Sequence, residues 1–474
     1  MSKQGRRAAG EVPIAGGRLP AAFPWVVTGA LMLFSLLCYN YTDIQLIARH
    51  AMNLWDVLAR GELFAFYRTG ATLSIGDTVQ HTGEVPYDIW VYLPFALWDL
   101  PVYLWEKATG LTFEANALAL LWVRCSTLAP AAGTVWALNG IAGDLGCDHR
   151  RRRQALWLFC SSLFLLNGTF CVGQIDIFSV FFTLLGLRAY LSGKHRAFVG
   201  WFALAVTFKN FGLFVFVPLL LLRQKRPLAL VRDGVLVCSL TLVSKLLFLQ
   251  DKLQTPTGFD EGRFLERALE RGLDLGNVRL PLLALLVAAL WLFCWLRPGQ
   301  DGRQTRWAVW AYLAGYASFF LSANICPYWE ALLAPCAALL LLSGWPGEPL
   351  LLLDSLAGGA FFARAMLTVP RLYDAKVVWW SPAGFLLARH QGSRLENLAY
   401  GLREQVLPVA EAVCFVLLAA MVLRFCPALC GDRAERGGEP LPLDLTLLRL
   451  ALAARFVVLP MAAFLLGSCR PPRL

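Results

Sequence analysis

The chain has 474 residues, of which 58% are hydrophobic and only 16% are charged, and its mean hydropathy is +0.56. Because about a quarter of the residues in soluble domains are charged, this composition excludes an ordinary soluble domain. The net charge of +11 comes from short basic clusters between apolar runs, a pattern that sets membrane topology and argues against nucleic-acid binding. These clusters are Arg150–Arg153, Lys194–Arg196, Arg223–Arg226 and Arg303–Arg306.

The apolar runs predict an all-α fold. Many of them reach about 18 residues, the length that a helix needs to cross ~30 Å of hydrocarbon, whereas the alternating segments typical of a transmembrane barrel do not occur in the sequence. We therefore expect a polytopic transmembrane helical bundle of about thirteen helical segments in the cell membrane. The first run, 23–40, is interpreted as a retained helix that follows a cytoplasmic tail at 1–22 and leaves the cytoplasm.

The segment after this helix is predicted to lie outside. The run 115–142 precedes the basic cluster Arg150–Arg153 and must travel inward, which places 41–114 on the outer side. A connection of this length is too long to be a simple loop. Two stretches in it, 44–63 and 87–105, have the amphipathic or aromatic character of helices that lie at the membrane interface.

The next runs predict two helices and a broken one. The run 155–171 goes out, an outer turn follows, and 177–192 returns to the basic cluster Lys194–Arg196. The run 197–222 has basic clusters at both ends. Both clusters are expected in the cytoplasm, and one straight transmembrane helix would place one of them outside. Polar residues at 209–212 interrupt this run and predict a re-entrant hairpin, which is tolerated only where the break is buried in protein or lines a cavity.

The rest of the chain continues as helices. We expect a main transmembrane module at 23–345 and additional C-terminal helices at 346–474, which carry an outer loop at 370–405. Further outer loops are predicted at 250–278 and 324–328. The remaining helical spans are predicted at 228–249, 279–296, 307–323, 329–343, 349–369, 406–424 and 448–468.

Two charged residues stand where the membrane makes them costly. Asp43 follows the first apolar run, and a hydrated helix end is the alternative interpretation for it. Lys209 interrupts the run 197–222, and a lysine at mid-membrane costs about 2.5–3.5 kcal/mol on insertion scales and usually faces a functional cavity. A snorkelling lysine is the alternative, which the central position of Lys209 in its run disfavours.

Other polar residues occur at predicted outer turns. Gln174 and Asp176 stand in the turn between two apolar helices, where a solvated turn is the alternative interpretation. Asn324, Tyr328 and Glu330 form a later turn. Glu330 opens the next helix, where a carboxylate also favours the helix dipole, so a capping role is the alternative to a functional one.

Together these groups predict an outward-facing site for group transfer. General base catalysis needs a carboxylate beside the hydroxyl whose proton it takes, and Asp43 is the candidate. A buried lysine such as Lys209 suits a phosphate through charge-assisted contacts. The sequence contains no P-loop or Gly-rich nucleotide-binding turn. The implied reaction is therefore transfer from a phosphate-linked lipid to a hydroxyl at the outer membrane face.

Three segments resemble the polytopic glycosyltransferases of the GT-C superfamily, especially the alpha-mannosyltransferase-like branch known as family 87. They are an aspartate after helix 1 with a long outer loop, a Gly-Gln turn followed by a hairpin with a central lysine, and a late Pro-Tyr-x-x-x-Leu-x-x-Pro pattern. Order and spacing carry the resemblance, which covers about 23–345. The matching residues are Asp43, Gly173-Gln174, Lys209 and Pro327-Tyr328-Trp329-Glu330-Ala331-Leu332-Leu333-Ala334-Pro335.

The resemblance implies a catalytic module at 23–345 with its active site on the extracytoplasmic side. It implies that a sugar, such as a mannose-like hexose, moves with inversion from a polyprenyl-phosphate donor to a glycan or glycolipid acceptor of the cell envelope. Asp43 would be the general base. The donor-binding residues would be Lys209, Gln174, Arg49, His50 and Arg68, and the acceptor cavity would include Asp176, Asn324, Tyr328 and Glu330.

Some features of this site stay open. An interfacial arginine such as Arg49 or Arg68 is also a common anchor for lipid headgroups. We predict no cofactor besides the lipid-linked donor and no metal-binding residues, and the sequence leaves any metal requirement undecided. Membrane lipids are expected partners of every helix.

Two other classes of protein fit part of this pattern. A transporter or flippase for a lipid-linked sugar would share the cavity and the buried lysine but would need no base. Repeated discontinuous helices in matching halves would favour that class, and the sequence shows one hairpin. An inactive subunit of an envelope-assembly complex would tolerate loss of Asp43.

Overall fold

The structure is a computed structural model of the chain. Within the residues that it describes, the chain is helical apart from three short hairpins, which confirms the predicted all-α class. The described residues are 11–14, 17–75, 78–82, 85–250, 266, 268–297, 303–323, 326–370, 373, 382–383, 394–429 and 439–468.

Several of these helices have the length and apolar character of membrane spans. Five in the described ranges can cross a membrane, and a bent pair of helices near the N-terminus would make a sixth. Some of them expose most of their apolar side chains to the surroundings, as lipid-facing helices do. The chain is therefore a polytopic helical membrane protein, as predicted. The five helices are Ala117–Asp144, His149–Cys171, Pro227–Leu247, Gly347–Thr368 and Ala399–Arg424.

The bent pair begins the fold. The first helix, α1 (Phe23–Cys38), has a proline in its first turn, where the missing N–H breaks no helical hydrogen bond. The second, α2 (Thr42–Ala59), follows at an angle of 65°. Apolar residues recur along α2 at spacings of three and four, which gives the helix one buried face and agrees with the predicted amphipathic segment. The buried apolar positions are Ile44, Ile47, Ala48, Ala51, Leu54 and Val57.

The second stretch of the predicted outer loop forms two helices. They are α3 (Ile89–Trp98) and α4 (Leu100–Thr109), with Asp99 between them. Pro101 lies at the start of α4, where proline is well tolerated because its fixed φ suits the first helical turn. The predicted interfacial stretch at 87–105 thus consists of two helices that meet at Asp99.

The next predicted spans are also divided into shorter elements. A π-helical turn, Leu166–Cys171, ends the run that was predicted at 155–171, and such turns are frequent at functional sites. Lys209 interrupts the run 197–222 at the predicted position. In order, the helices are α5 (Ala117–Arg124), α6 (Leu128–Asp144), α7 (His149–Cys160), α8 (Leu163–Leu165), α9 (Asp176–Leu191), α10 (His195–Phe208), α11 (Leu213–Arg223) and α12 (Pro227–Leu247).

The C-terminal part of the chain continues the bundle. A 3-10 helix, Pro327–Leu333, replaces the first part of the span that was predicted at 329–343. The long helix that was predicted at 406–424 begins earlier, inside the predicted outer loop 370–405. The helices are α13 (Leu282–Leu296), α14 (Gln304–Ser322), α15 (Cys336–Leu342), α16 (Gly347–Thr368), α17 (Arg394–Arg424) and α18 (Leu443–Ser468).

Three antiparallel hairpins interrupt the helices, and the sequence did not predict them. Each strand has only four or five residues, too few to show a clear period-two pattern. Two residues join the strands of each pair, the shortest common hairpin connection. The pairs are β1 (Glu11–Ile14) with β2 (Gly17–Pro20), β3 (Ala71–Ile75) with β4 (Thr78–Thr82), and β5 (Gly272–Leu275) with β6 (Val278–Pro281).

Two apolar cores hold the helices together. The larger core takes side chains from α1 and from the helices between α6 and α18. The smaller core belongs mainly to the predicted outer loop, with side chains from α2, α3, α4 and α5. The helices at 346–474 therefore share the core of the module that was predicted at 23–345.

A buried arginine anchors α18. Arg449 is fully buried, and its Nη1 donates to Oδ2 of Asp354 in α16 at 2.7 Å. It also donates to the Ser161 hydroxyl at 2.7 Å and to the Leu158 carbonyl at 2.6 Å. Because a buried charge is tolerated only when it is paired and hydrogen-bonded, this network fixes α18 against α7 and α16.

Candidate active site

The bend between α1 and α2 presents Asp43. α1 stops at Cys38, and Tyr39 and Tyr41 have extended backbone conformations before α2 begins at Thr42. Asp43 lies in the first turn of α2, where the positive end of the helix dipole favours a carboxylate. Its side chain contacts a second segment of the chain, a contact that a simple hydrated helix end does not require.

That second segment is the turn before α9. Gly173 has a φ of +76°, a conformation that favours glycine, and a Cβ there would lie 3.7 Å from Ile44. The Gln174 backbone N–H donates to the Gly168 carbonyl at 2.9 Å. Nε2 of Gln174 donates to Oδ2 of Asp43 at 2.7 Å. Gln174 is 1% exposed, so the turn holds the partly buried Asp43 carboxylate through a hydrogen bond whose donor is buried.

Lys209 approaches from a third segment. It lies just after α10, with an extended backbone at φ −156° and ψ 115°. Its Nζ lies 3.3 Å from Oδ1 of Asp176, the first residue of α9, and the two side chains are 10% and 0% exposed. The ammonium also faces aromatic rings, with centroid distances of 4.9 Å to Trp329, 5.6 Å to Phe211 and 5.8 Å to Tyr87. Both an ion pair and cation–π contacts therefore hold this lysine.

The 3-10 helix Pro327–Leu333 supplies a fourth segment. The ring of Tyr328 lies 5.5 Å from that of Tyr41. A Cβ on Gly168 would come within 2.8 Å of the Tyr328 carbonyl oxygen, so the close approach of the π-helical turn requires glycine at this position. Asp43 interacts electrostatically with both Lys209 and Tyr328.

The structure thus brings a group of predicted residues together from four separate segments. We call this group the Asp43 cluster: Asp43, Gln174, Asp176, Lys209 and Tyr328. It combines a carboxylate that can accept a proton with an ammonium that can hold an anion. The amide of Gln174 orients the first of these groups, and Asp176 holds the second.

Glu330 belongs to a different network. Its side chain is fully buried, and Nδ2 of Asn167 donates to its Oε2 at 3.1 Å. The Tyr373 hydroxyl donates to Oδ1 of the same asparagine at 2.5 Å, and Arg364 acts on Glu330 electrostatically. A role of Glu330 in the acceptor cavity therefore stays a prediction, as does that of Asn324, which lies outside the described residues.

The predicted donor-binding residues of the outer loop have contacts of their own. Arg49 bonds to Glu106 at 2.6 Å and to Glu114 at 2.8 Å, so it already joins α2 to the end of the loop. His50 is fully buried, and Arg68 is exposed at the end of a short 3-10 helix. Their part in donor binding stays a prediction.

Arg124 is a candidate positioning residue that the sequence interpretation missed. It is 1% exposed, and it donates to the Leu36 carbonyl at 3.0 Å, to Oδ1 of Asn40 at 3.3 Å and to the Phe170 carbonyl at 2.7 Å. It therefore joins the end of α1 to the π-helical turn, the two segments that directly precede Asp43 and Gln174 in the chain. An arginine inside the apolar run 115–142 was a visible signal, since charges in such runs are costly and usually functional.

Two further carboxylates belong to the predicted outer loop: Asp56 in α2 and Asp99 between α3 and α4. Oδ1 of Asp56 accepts from the Tyr103 hydroxyl and lies close to Nζ of Lys107, both at 2.8 Å. Burial and the neighbouring Asp56 raise the pKa of Tyr103 to about 12. Asp99 is fully buried, and neither of its carboxylate oxygens has a hydrogen-bond partner among the described residues. Burial raises the pKa of Asp99 well above its usual range.

Within the described part of the chain, no group of three His, Cys, Asp or Glu side chains is arranged to hold a metal ion. The metal requirement of the site therefore stays untested.

Comparisons with known proteins show a distant likeness to a solved structure. No protein-family model matches the chain, and no curated protein matches it significantly. Among solved structures, the arabinosyltransferase EmbB from Mycobacterium smegmatis, determined by single-particle cryo-EM, is similar with a TM-score of 0.37 and 15% sequence identity. The alignment covers 98% of this chain and 42% of that one, so the chain spans less than half of the length of EmbB. A likeness this distant does not establish a shared activity.

Proposed function

We propose that the chain is an inverting membrane glycosyltransferase of the GT-C type, which moves a sugar from a polyprenyl-phosphate donor to a hydroxyl acceptor at the extracytoplasmic face. The observation that supports this most is the partly buried 2.7 Å hydrogen bond from Gln174 to Asp43, beside the ion pair of Lys209 and Asp176. An oriented base and a cation at the predicted outer end of the bundle are the two groups that this reaction needs.

Asp43 is the proposed general base. The acceptor hydroxyl gives its proton to the Asp43 carboxylate while its oxygen forms a bond with the anomeric carbon of the sugar. The bond from that carbon to the phosphate oxygen breaks, and polyprenyl phosphate leaves with the electron pair. Attack opposite the leaving group inverts the anomeric carbon. Gln174 holds the carboxylate through Oδ2, so little reorganisation is needed when the proton moves.

Lys209 is the proposed contact for the donor phosphate. An ammonium has three N–H donors, so Lys209 can keep its contact with Asp176 and still donate to the phosphate. Negative charge grows on the phosphate as the sugar leaves, and a preorganised cation in a water-poor site stabilises that charge. The sugar that we propose, a mannose-like hexose, and the envelope glycan or glycolipid acceptor come from the resemblance to family 87.

Transfer in vitro tests the proposal. Membranes that contain the chain are incubated with a panel of radiolabelled polyprenyl-phosphate sugars and with envelope glycolipids, and the labelled acceptor is quantified. The expected result is transfer by the native chain and its collapse in Asp43→Asn. If both forms instead move a lipid-linked sugar across sealed vesicles without forming a new glycosidic bond, the chain is a flippase.

A further inference from the structure

A cavity of 220 Å³ lies between the N-terminal ends of α1, α7 and α18. This end of the bundle carries the basic cluster Arg150–Arg153, which the sequence pattern predicts to be cytoplasmic. α1 runs from the cavity to the bend before Asp43, and its 16 residues correspond to about 24 Å of helix. The cavity is therefore separate from the Asp43 cluster. Its walls include Trp25, Trp157, Leu441, Leu447, Arg150 and Arg153.

The cavity wall contains a buried polar group that has no hydrogen-bond partner among the described residues. Trp157 is 4% exposed, and its indole Nε1 is buried with no hydrogen-bond partner among the described residues. Oε1 of Gln154, another wall residue, is also buried and has no hydrogen-bond partner among the described residues. Because a buried indole N–H usually finds an acceptor, an unpaired one on a cavity wall points to an acceptor on a ligand.

The charges around the cavity favour an anion. Arg150 and Arg153 belong to its wall, and Nη2 of Arg153 donates to the Ala21 carbonyl at 3.1 Å, which ties α7 to the start of α1. The N-terminus of α1 has no side-chain cap, and the dipoles of three helices begin here. Carboxylates also lie nearby: Asp148 caps α7 by accepting from the Arg151 backbone N–H, Asp444 lies in the first turn of α18, and Glu439 precedes that helix and accepts from Nε2 of Gln154 through its backbone carbonyl.

Apart from Gln154 and Thr446, the rest of the wall is apolar. It consists of aromatic, leucine, proline and alanine side chains from α1, α7, α18 and the segments that precede α1 and α18, which favours a hydrocarbon part in the ligand. A volume of 220 Å³ is below the usual range for an enclosed drug-sized ligand, about 300–1,000 Å³. It suits a headgroup and the first part of a chain, while the rest of the chain lies along the bundle in the membrane.

We infer that this cavity binds a lipid with a phosphate anion next to its hydrocarbon chain. The phosphate lies between the guanidinium groups and the indole N–H of Trp157, and the chain follows the apolar wall. Basic pockets between transmembrane helices on the cytoplasmic side suit such headgroups. An anionic phospholipid and a polyprenyl phosphate share this chemistry. The inference does not rest on glycosyl transfer.

Native mass spectrometry of the detergent-purified full chain tests it. The lipids are phosphatidylglycerol, polyprenyl phosphate and diacylglycerol, which has two chains but no phosphate. We expect a one-to-one complex with at least one of the two phosphate lipids and none with diacylglycerol at the same concentration. The phosphate lipid that binds more tightly shows whether the ligand is an anionic phospholipid or a polyprenyl phosphate.

Variants locate the site. Trp157→Phe keeps the ring and removes only the N–H, and we expect about tenfold weaker binding because one hydrogen bond to a charged group is lost. The double variant Arg150→Gln/Arg153→Gln should lose binding by more than that. Arg196→Gln is the matched control, since Arg196 is an exposed arginine of another basic cluster and does not line the cavity.

Any of three results overturns the inference. The first is binding of diacylglycerol as tight as that of the phosphate lipids. The second is unchanged binding by Trp157→Phe, and the third is a loss in Arg196→Gln that equals the loss in the cavity variants. If the double variant does not give a monodisperse protein, the comparison of Trp157→Phe with Arg196→Gln decides alone.

Discussion

Nζ of Lys209 lies 3.3 Å from the Asp176 carboxylate, and both side chains are largely buried. Considered alone, the removal of a buried lysine charge should preserve folding, because that charge is costly in a membrane. The ion pair reverses this expectation. Loss of Lys209 leaves Asp176 as a buried charge without its cation, and breaking a buried pair from one side costs about 3–5 kcal/mol.

Lys209→Met should therefore lower the thermal unfolding midpoint, and adding Asp176→Asn should restore it. The double variant should still use the lipid-linked donor poorly, because the proposed phosphate contact is missing. A thiol-reactive dye can follow unfolding, since Cys171, Cys294, Cys336 and Cys414 are free and buried. A double variant with normal stability and normal apparent donor affinity would show that Lys209 acts only on the structure.

Asp43→Asn should insert and bind donor normally but lose turnover. The substitution is nearly isosteric, and the amide can still contact Gln174, but it cannot accept the proton of the acceptor hydroxyl. General base groups contribute about 10²–10⁴-fold to rate. Asp43→Glu should recover little, because an added methylene moves the carboxylate away from the hydroxyl.

Asp56→Asn is the control for Asp43. Asp56 lies on the same helix and is partly exposed, with Tyr103 and Lys107 as partners. Its substitution should change the transfer rate much less than Asp43→Asn does. Near-normal transfer by Asp43→Asn, measured with the donor that the native chain uses, would mean that Asp43 has only a structural role in the first turn of α2.

Arg124→Lys should reduce both stability and turnover. Lysine keeps the charge but cannot reach the Leu36 and Phe170 carbonyls together, so the segments that directly precede Asp43 and Gln174 lose their shared donor. We expect a loss of about 1.5–3 kcal/mol in unfolding free energy and up to about 100-fold in turnover, because small misplacements of catalytic groups are costly.

The matched control is Arg188→Lys. Arg188 pairs with Asp144 at 2.6 Å, but both side chains are about a third exposed, and exposed pairs contribute only about 0–1 kcal/mol. A lower turnover with an unchanged donor KM in Arg124→Lys would indicate positioning. Equal effects in the two variants would remove the special role of Arg124.

Asp99→Asn should stabilise the protein at neutral pH and flatten the pH dependence of its stability. Burial raises the pKa of Asp99 well above its usual range, so the folded state keeps a proton that the unfolded chain releases above about pH 3.9. Where the folded state binds more protons, stability falls as pH rises. The loss of stability begins near the pKa that Asp99 has in the unfolded chain and is complete above its raised pKa in the folded state.

Unfolding midpoints of the native chain and the variant, recorded from pH 5 to pH 8, check this sign. Asp274→Asn is the control, because Asp274 is 78% exposed and should leave both the midpoint and its slope unchanged. A steeper slope in Asp99→Asn than in the native chain would contradict the prediction.

The predicted orientation is tested by labelling. An impermeant thiol reagent on intact cells should modify Thr109→Cys in the predicted outer loop and should modify His149→Cys only after permeabilisation. Both positions are exposed, and peptide mapping separates them from the native cysteines. The opposite pattern would place the Asp43 cluster on the cytoplasmic side.

Hydropathy predicted the helices well because each run must satisfy its own backbone hydrogen bonds in lipid, whatever its neighbours are. It also predicted the break at Lys209, since a polar residue in such a run needs a special environment, and the end of the first helix before Asp43. The partners of those residues depend on packing between distant segments. The sequence therefore placed Gln174 and Asp176 in one site with Asp43 and Lys209, but it could not show that Gln174 bonds to Asp43 and that Asp176 pairs with Lys209. The π-helical turn at 166–171 has no distinct composition, and its approach to Tyr328 relies on the absence of a single Cβ at Gly168.

The contacts of α18 have a consequence for how the protein is made. The Tyr39 hydroxyl, at the bend before Asp43, donates to the Val457 carbonyl at 2.6 Å, and Arg449 fixes the same helix to α7 and α16. Helices enter the membrane in order of synthesis. The bend before Asp43 therefore lacks its hydrogen bond to the Val457 carbonyl until α18 has been inserted. Ribosome-bound intermediates should therefore hold α1 and α2 without their final tilt. Premature stop codons before Arg449 should yield inserted chains that quality-control proteases remove.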